Sequence, residues 1–214
     1  MIKTVLIGAL IPALYSVLHL SPYNSYLFTS IVKILLFVGG PLIMRHNFKN
    51  VLGKAESKKS MLACGFGAFL IAAVIVLGYN VLKSQFDPDM ILSSLEKQSV
   101  TKSNFILVFT NIIFINAFTE ELFFRGYIFF ALKEKNKNAA YIISSVIFAL
   151  YHITMLSGWF NPFIFILCMA GLFAGGICFC YACEKCGNIW GGYFLHAGAN
   201  LGINLIGIYL FLNA

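Results

Sequence analysis

Glu120 and Glu121 stand side by side, with Arg125 close behind, in a run from Asn104 to Leu132 that is otherwise almost wholly apolar. In a helix that spans hydrocarbon, each ionisable group costs at least about 2–3 kcal/mol, so such residues turn to the protein interior and mark a pathway or a site. Glu121 and Arg125, four apart, share a helix face, whereas Glu120 points about 100° away. The spacing predicts a division of labour: Arg125 holds Glu121, and Glu120 is left free to meet something reactive.

Three further polar residues lie in apolar runs later in the chain: His152, His196 and Asn200. Counted from the inner end of its own helix, Glu120 lies about 18 Å up and His152 about 20 Å, with His196 about 10 Å and Asn200 about 16 Å up. His196 and Asn200, four apart, share a face. A single buried histidine or asparagine commonly serves as interhelical glue. A carboxylate, two imidazoles and an amide at similar depth on three helices form a different object. In one chemistry the carboxylate and a histidine activate water as general base, while the remaining donors stabilise an oxyanion. In another, Glu120, His152 and His196 ligate a zinc ion whose open position polarises water. The single-helix HExxH arrangement of zinc peptidases is absent, which lowers the weight of the metal reading. A transporter that passes protons through Glu120 and the histidines is a third possibility. No inverted repeat with broken helices supports it.

The elements that must position these residues are membrane helices. Of 214 residues, 60% are hydrophobic and 11% charged, and the mean hydropathy is +0.86. Successive apolar windows are each long enough to cross about 30 Å of hydrocarbon, and the alternating pattern of a barrel is missing. The expected class is all-α: one polytopic bundle of about seven transmembrane helices. The expected spans are 3–20, read as a retained first helix rather than a signal peptide, then 26–44, 60–82, 104–132, 139–156, 163–182 and 189 to the end. Gly39-Gly40-Pro41 should bend or break the second span. Lys33 lies within that span and either snorkels to the interface or meets a polar partner. Between the third and fourth spans, residues 83–103 carry charges of both signs. Met90, Ile91, Leu92 and Leu95 are spaced for a short interfacial helix, or the segment folds as a lid.

The formal charge is +7, yet the bases cluster in particular loops, which points to membrane topology rather than to nucleic acid. Arg45, Lys49, Lys54, Lys58 and Lys59 follow the second span, Lys133, Lys135 and Lys137 the fourth, and Lys185 ends the sixth. The turns Ser21-Pro22-Tyr23-Asn24-Ser25 and Ser157-Gly158-Trp159-Phe160-Asn161-Pro162 have none. Seven spans with the amino terminus in the cytoplasm and the carboxyl terminus outside satisfy the positive-inside rule, and the basic loops would also touch anionic lipid. Cys183-x-x-Cys186 lacks a second pair at zinc-site spacing and reads as buried, inert thiols.

The ordered motifs Glu120-Glu121-x-x-x-Arg125, Phe148-x-x-x-His152 and His196-x-x-x-Asn200 resemble those of the CAAX prenyl proteases and bacteriocin-processing enzymes, a family of intramembrane glutamic endopeptidases. The similarity covers about residues 104–204. Helices before it are matched only by hydropathy, which divides a single membrane domain, 1–214, into accessory residues 1–103 and catalytic residues 104–214. The resemblance implies a conical active-site cavity among the last four spans. It implies Glu120 as the base that activates water and His152 as its assistant. His196 and Asn200 would be oxyanion donors, with Glu121, Arg125 and Phe148 supporting the site. It favours a metal-free mechanism without a cofactor, zinc being the alternative. The implied substrate is a membrane-associated peptide or hydrophobic protein, either a bacteriocin or signal-peptide leader or a prenylated CAAX-type carboxyl terminus. A bacterial-type plasma membrane is the expected location. A non-proteolytic membrane scaffold or immunity protein is the alternative from outside enzymology.

Overall fold

The computed structural model describes residues 1–21, 24–44, 46–156 and 158–213. Pro22 and Tyr23 of the first turn, Arg45 of the basic loop and Ser157 of the fifth connection lie outside the described residues.

The chain forms α1 (Ile2–His19), α2 (Tyr26–Ile43), α3 (Lys58–Gln85), a short α4 (Pro88–Lys97), α5 (Phe105–Lys133), α6 (Lys137–Leu156), α7 (Pro162–Cys186) and α8 (Trp190–Asn213). All but α4 are long and apolar enough to cross a membrane, seven such helices among the described residues. Their starts follow local chemistry. The side chains of Ser57, Asp87, Asn136 and Asn161 accept from the backbone N–H three residues on, at 3.0–3.1 Å. Each cap thereby satisfies an amide that has no partner within its own helix. Pro88 and Pro162 occupy first helical positions, where a missing N–H costs nothing.

Because lipid tails are as apolar as the side chains, shape and small residues decide how these helices associate. α3 turns Leu62, Phe66, Phe69 and Val81 outward and uses its other face to lie along α8. There a Cβ on Gly198 would collide with the backbone of Ala68, and one on Gly202 would lie 2.9 Å from the Ala72 carbonyl oxygen. The two backbones can come this close because both α8 positions lack a side chain. Opposite this pair, α1, α2, α5, α6 and α7 enclose an aromatic core of Tyr15, Phe37, Phe123, Phe124, Phe148, Tyr151 and Phe179. Phe37 stacks on Phe123, centroids 4.5 Å apart, and meets Phe124 edge-on at 5.5 Å.

Two expectations are refined. Gly39-Gly40-Pro41 does not break α2, which continues through a wide π turn at Leu35–Gly39 to Ile43. Pro41 falls in the last turn, just past the wide turn where the regular hydrogen-bond ladder is already interrupted. The segment 83–103 forms the amphipathic α4, whose Ile91 and Leu95 pack with Phe105, Phe109, Leu210 and Phe211 over one end of α5 and α8. Backbone ties hold it there: Tyr26 N donates to the Gln98 carbonyl at 2.8 Å, and Asn161 Nδ2 to that of Gln85 at 2.8 Å.

Candidate active site

α5 carries the two glutamates and is not a regular helix. π turns at Ile112–Asn116 and Leu122–Phe129 flank the α-helical turn Ala117–Glu121. Such turns leave carbonyls without their usual helical partners, and other helices supply donors here. Asn200 Nδ2 donates to the Ile112 carbonyl at 2.9 Å and Asn204 Nδ2 to that of Phe109 at 3.1 Å. Ser144 Oγ donates to the Phe124 carbonyl at 2.8 Å. Side chains of α8 and α6 thus hold open the distorted stretch that displays Glu120, a place where π geometry is often functional.

Glu121 and Arg125 pair as their spacing predicts. Arg125 Nη1 lies 2.7 Å from Glu121 Oε1, with both residues at 0% exposure. Arg125 Nη2 donates to the Gly176 carbonyl at 3.2 Å. The guanidinium lies over Phe148 at 4.5 Å and near Phe179 at 5.2 Å. Phe148, expected as a support, is therefore the floor under the arginine. Its ring also meets the rings of His152 and His196 edge-on at 4.7 and 5.6 Å.

Glu120, His152 and His196 converge. Glu120 is fully buried, and its Oε2 stands 3.8 Å from His152 Nε2 and 3.7 Å from His196 Nε2. That oxygen has no hydrogen-bond partner among the described residues. The other ring nitrogens are engaged: His152 Nδ1 lies 2.7 Å from the Phe148 carbonyl oxygen and His196 Nδ1 lies 2.9 Å from Glu121 Oε1. Both partners only accept, so each Nδ1 is assigned the proton and each neutral ring presents an Nε2 lone pair toward Glu120. Phe179 stacks on His196 with centroids 5.2 Å apart and fixes the plane of that ring. Asn200, on the His196 face of α8, is 9% exposed and is bonded to α5 through Ile112 rather than to the other three.

One expectation is corrected: Glu120 is not free. Lys33 Nζ of α2 lies 3.0 Å from Glu120 Oε1, and the Tyr151 hydroxyl donates to the same oxygen at 3.1 Å. Spacing within α5 does not show what a distant helix contributes. The signals were present in the sequence, a lone lysine in an apolar span and a tyrosine beside His152. Asn116, polar in an apolar span and 2.5 Å from Lys33 Nζ, carried the same kind of signal, whereas Tyr15 and Phe179 carried none that sets them apart from ordinary core residues. Cys183 and Cys186 are buried, and among the described residues no three His, Cys, Asp or Glu side chains are grouped to hold a metal ion.

Residues 102–202, from the approach to α5 through the first half of α8, match the family model of the Rce1-like type II CAAX prenyl endopeptidases. No curated protein and no solved structure matches the chain. The matched segment contains Glu120, Glu121, Arg125, Phe148, His152, His196 and Asn200 and leaves α1 to α4 outside. Over that segment, the chain is similar to the Rce1-like type II CAAX prenyl endopeptidases, in line with the resemblance of its three motifs.

Proposed function

We propose that the protein is an intramembrane endopeptidase in which Glu120 activates the water that cleaves a peptide bond. The observation that carries this reading is the buried Glu120 Oε2, 3.8 and 3.7 Å from two imidazole Nε2 atoms. Those distances are too long for direct hydrogen bonds and suit a bridging water. The water gives a proton to Glu120 Oε2 as its oxygen bonds to the substrate carbonyl carbon, and His152 Nε2 orients it. The negative charge moves to the carbonyl oxygen. The second N–H of the Asn200 amide is one donor for it, since Ile112 takes only one. His196 is the other when it carries a second proton, with Glu121 at its Nδ1 to stabilise that cation. Collapse of the intermediate breaks the C–N bond, and the proton held by Glu120 passes to the leaving amine. Atoms and charge then balance.

The mechanism is proposed to be metal-free. The Lys33 ammonium 3.0 Å from Glu120 Oε1 already supplies positive charge to this carboxylate and would repel a dication beside it. The substrate class is proposed to be a membrane-associated peptide, prenylated at a CAAX-type end or hydrophobic like a leader peptide. The amino terminus is proposed to lie in the cytoplasm and the carboxyl terminus outside, as the basic loops favour. The deciding experiment compares wild type with Glu120→Gln, both folded in detergent, on a prenylated CAAX peptide and on hydrophobic leader peptides. Products are read by mass spectrometry with and without a chelator. Cleavage by wild type alone, indifferent to the chelator, is expected. Equal cleavage by Glu120→Gln would refute the role of Glu120. Loss on chelation with recovery on adding zinc would refute the metal-free mechanism.

A further inference from the structure

Lys33 lies on α2, outside the family-matched segment, and is 5% exposed. Its ammonium faces four groups. Nζ donates to Asn116 Oδ1 at 2.5 Å and to Glu120 Oε1 at 3.0 Å. It also lies 5.2 Å from the Tyr15 ring centroid and 5.3 Å from that of Tyr151. The two aromatic faces and the Asn116 carbonyl aim the charge at one carboxylate oxygen, to which the Tyr151 hydroxyl also donates. With two donors on Oε1, rotation of the carboxylate is blocked. Oε2 becomes the oxygen turned to the imidazoles. The groups facing Glu120 are thus Lys33 from α2, Tyr151 and His152 from α6, and His196 from α8, with the Glu121–Arg125 pair adjacent on α5.

We propose that Lys33 is a positioning residue of the site: it binds Glu120 Oε1 as counter-ion, fixes the carboxylate, and so leaves Oε2 as the reactive oxygen. This rests on the reading of Glu120 as the base. A carboxylate buried among apolar groups is costly without a partner and takes up a proton when that partner is removed. The accessory helices are therefore part of the catalytic unit, because α2 supplies the cation that lets a glutamate remain anionic at this depth. A protonated Glu120 could not accept the proton of water.

The test needs no substrate. Infrared spectra at neutral pH are recorded for wild type, Lys33→Met, Lys33→Arg and the double variant Lys33→Met with Glu120→Gln, each folded in lipid nanodiscs. Lys33→Met should gain the stretch of a single protonated carboxyl group. Wild type and Lys33→Arg should lack it, and the double variant should lose it. A purely structural lysine would leave that band unchanged. No new band in Lys33→Met, or a band that persists in the double variant, overturns the proposal. If Lys33→Met does not fold, thermal unfolding of the double variant decides. Recovery of the fold on removing both charges supports the pairing, and no recovery refutes it. Equal cleavage by wild type and Glu120→Gln would sink the protease reading and leave these spectra as they are, so the two ideas fail separately.

Discussion

Replacing Arg125 by methionine leaves Glu121 inside the bundle without its cation. The guanidinium makes a 2.7 Å ion pair with Glu121 and a 3.2 Å hydrogen bond to Gly176, and covers the face of Phe148 at 4.5 Å. Removing one partner of a buried pair costs about 3–5 kcal/mol. Loss of a desolvated cation–π contact adds up to about 2 kcal/mol. Two features moderate the sum. Methionine retains much of the packing, and His196 Nδ1, 2.9 Å from Glu121 Oε1, remains as a second partner. The expected loss is therefore about 3–4 kcal/mol, toward the lower part of the ion-pair range. Adding Glu121→Gln removes the stranded charge, and the double variant should regain about 2 kcal/mol relative to Arg125→Met. Unfolding in mixed micelles with increasing dodecyl sulfate, followed by fluorescence of Trp159 and Trp190, measures all members of the cycle. A loss under about 1 kcal/mol for Arg125→Met, or a double variant no more stable than the single, would refute the argument that this pair is a mutual necessity.

His46 lies in the loop after α2, its ring edge-on to Phe48 and Tyr127 at 4.7 and 5.1 Å. Burial lowers its pKa, against a smaller opposing effect of a hydrogen bond with the Gly126 backbone. The folded state therefore binds this proton less readily than the unfolded state does. The contribution is full above the unfolded value of about 6.5 and is lost as pH falls through the lower folded value. Thermal stability should drop on acidification in that window, less steeply in His46→Gln; parallel profiles would show that His46 is not responsible. Gly198→Ala should destabilise by more than about 1 kcal/mol, since its Cβ meets the unyielding backbone of Ala68. Gly78→Ala, with nothing near its Cβ, should be neutral or stabilise by up to about 1 kcal/mol. Equal effects of the two would contradict backbone-to-backbone packing of α3 on α8. A tag after Ala214 should be cut by protease added to intact cells and one before Met1 should be protected; the reverse pattern would overturn the proposed orientation.

The number of spans, their approximate limits and the Glu121–Arg125 pair were legible in the sequence, because each depends on properties local to one helix. An apolar run declares its length, and residues four apart share a face wherever the helix lies. The motif residues Glu120, His152, His196 and Asn200 stood out for a related reason: polar groups are rare and costly in such runs. Only the tertiary structure decided what Glu120 meets. Lys33 and Glu120 are 87 residues apart, and their encounter depends on how α2 packs on α5, which no single-helix pattern encodes. The same holds for the tautomer of His196, set by Glu121 from another helix, and for the π turns of α5, whose carbonyls find donors on α6 and α8. One-dimensional patterns report the cost of placing a polar group in the membrane. The partner that offsets that cost is chosen by packing between helices, and here that choice turns a predicted free carboxylate into a paired one with a single reactive oxygen.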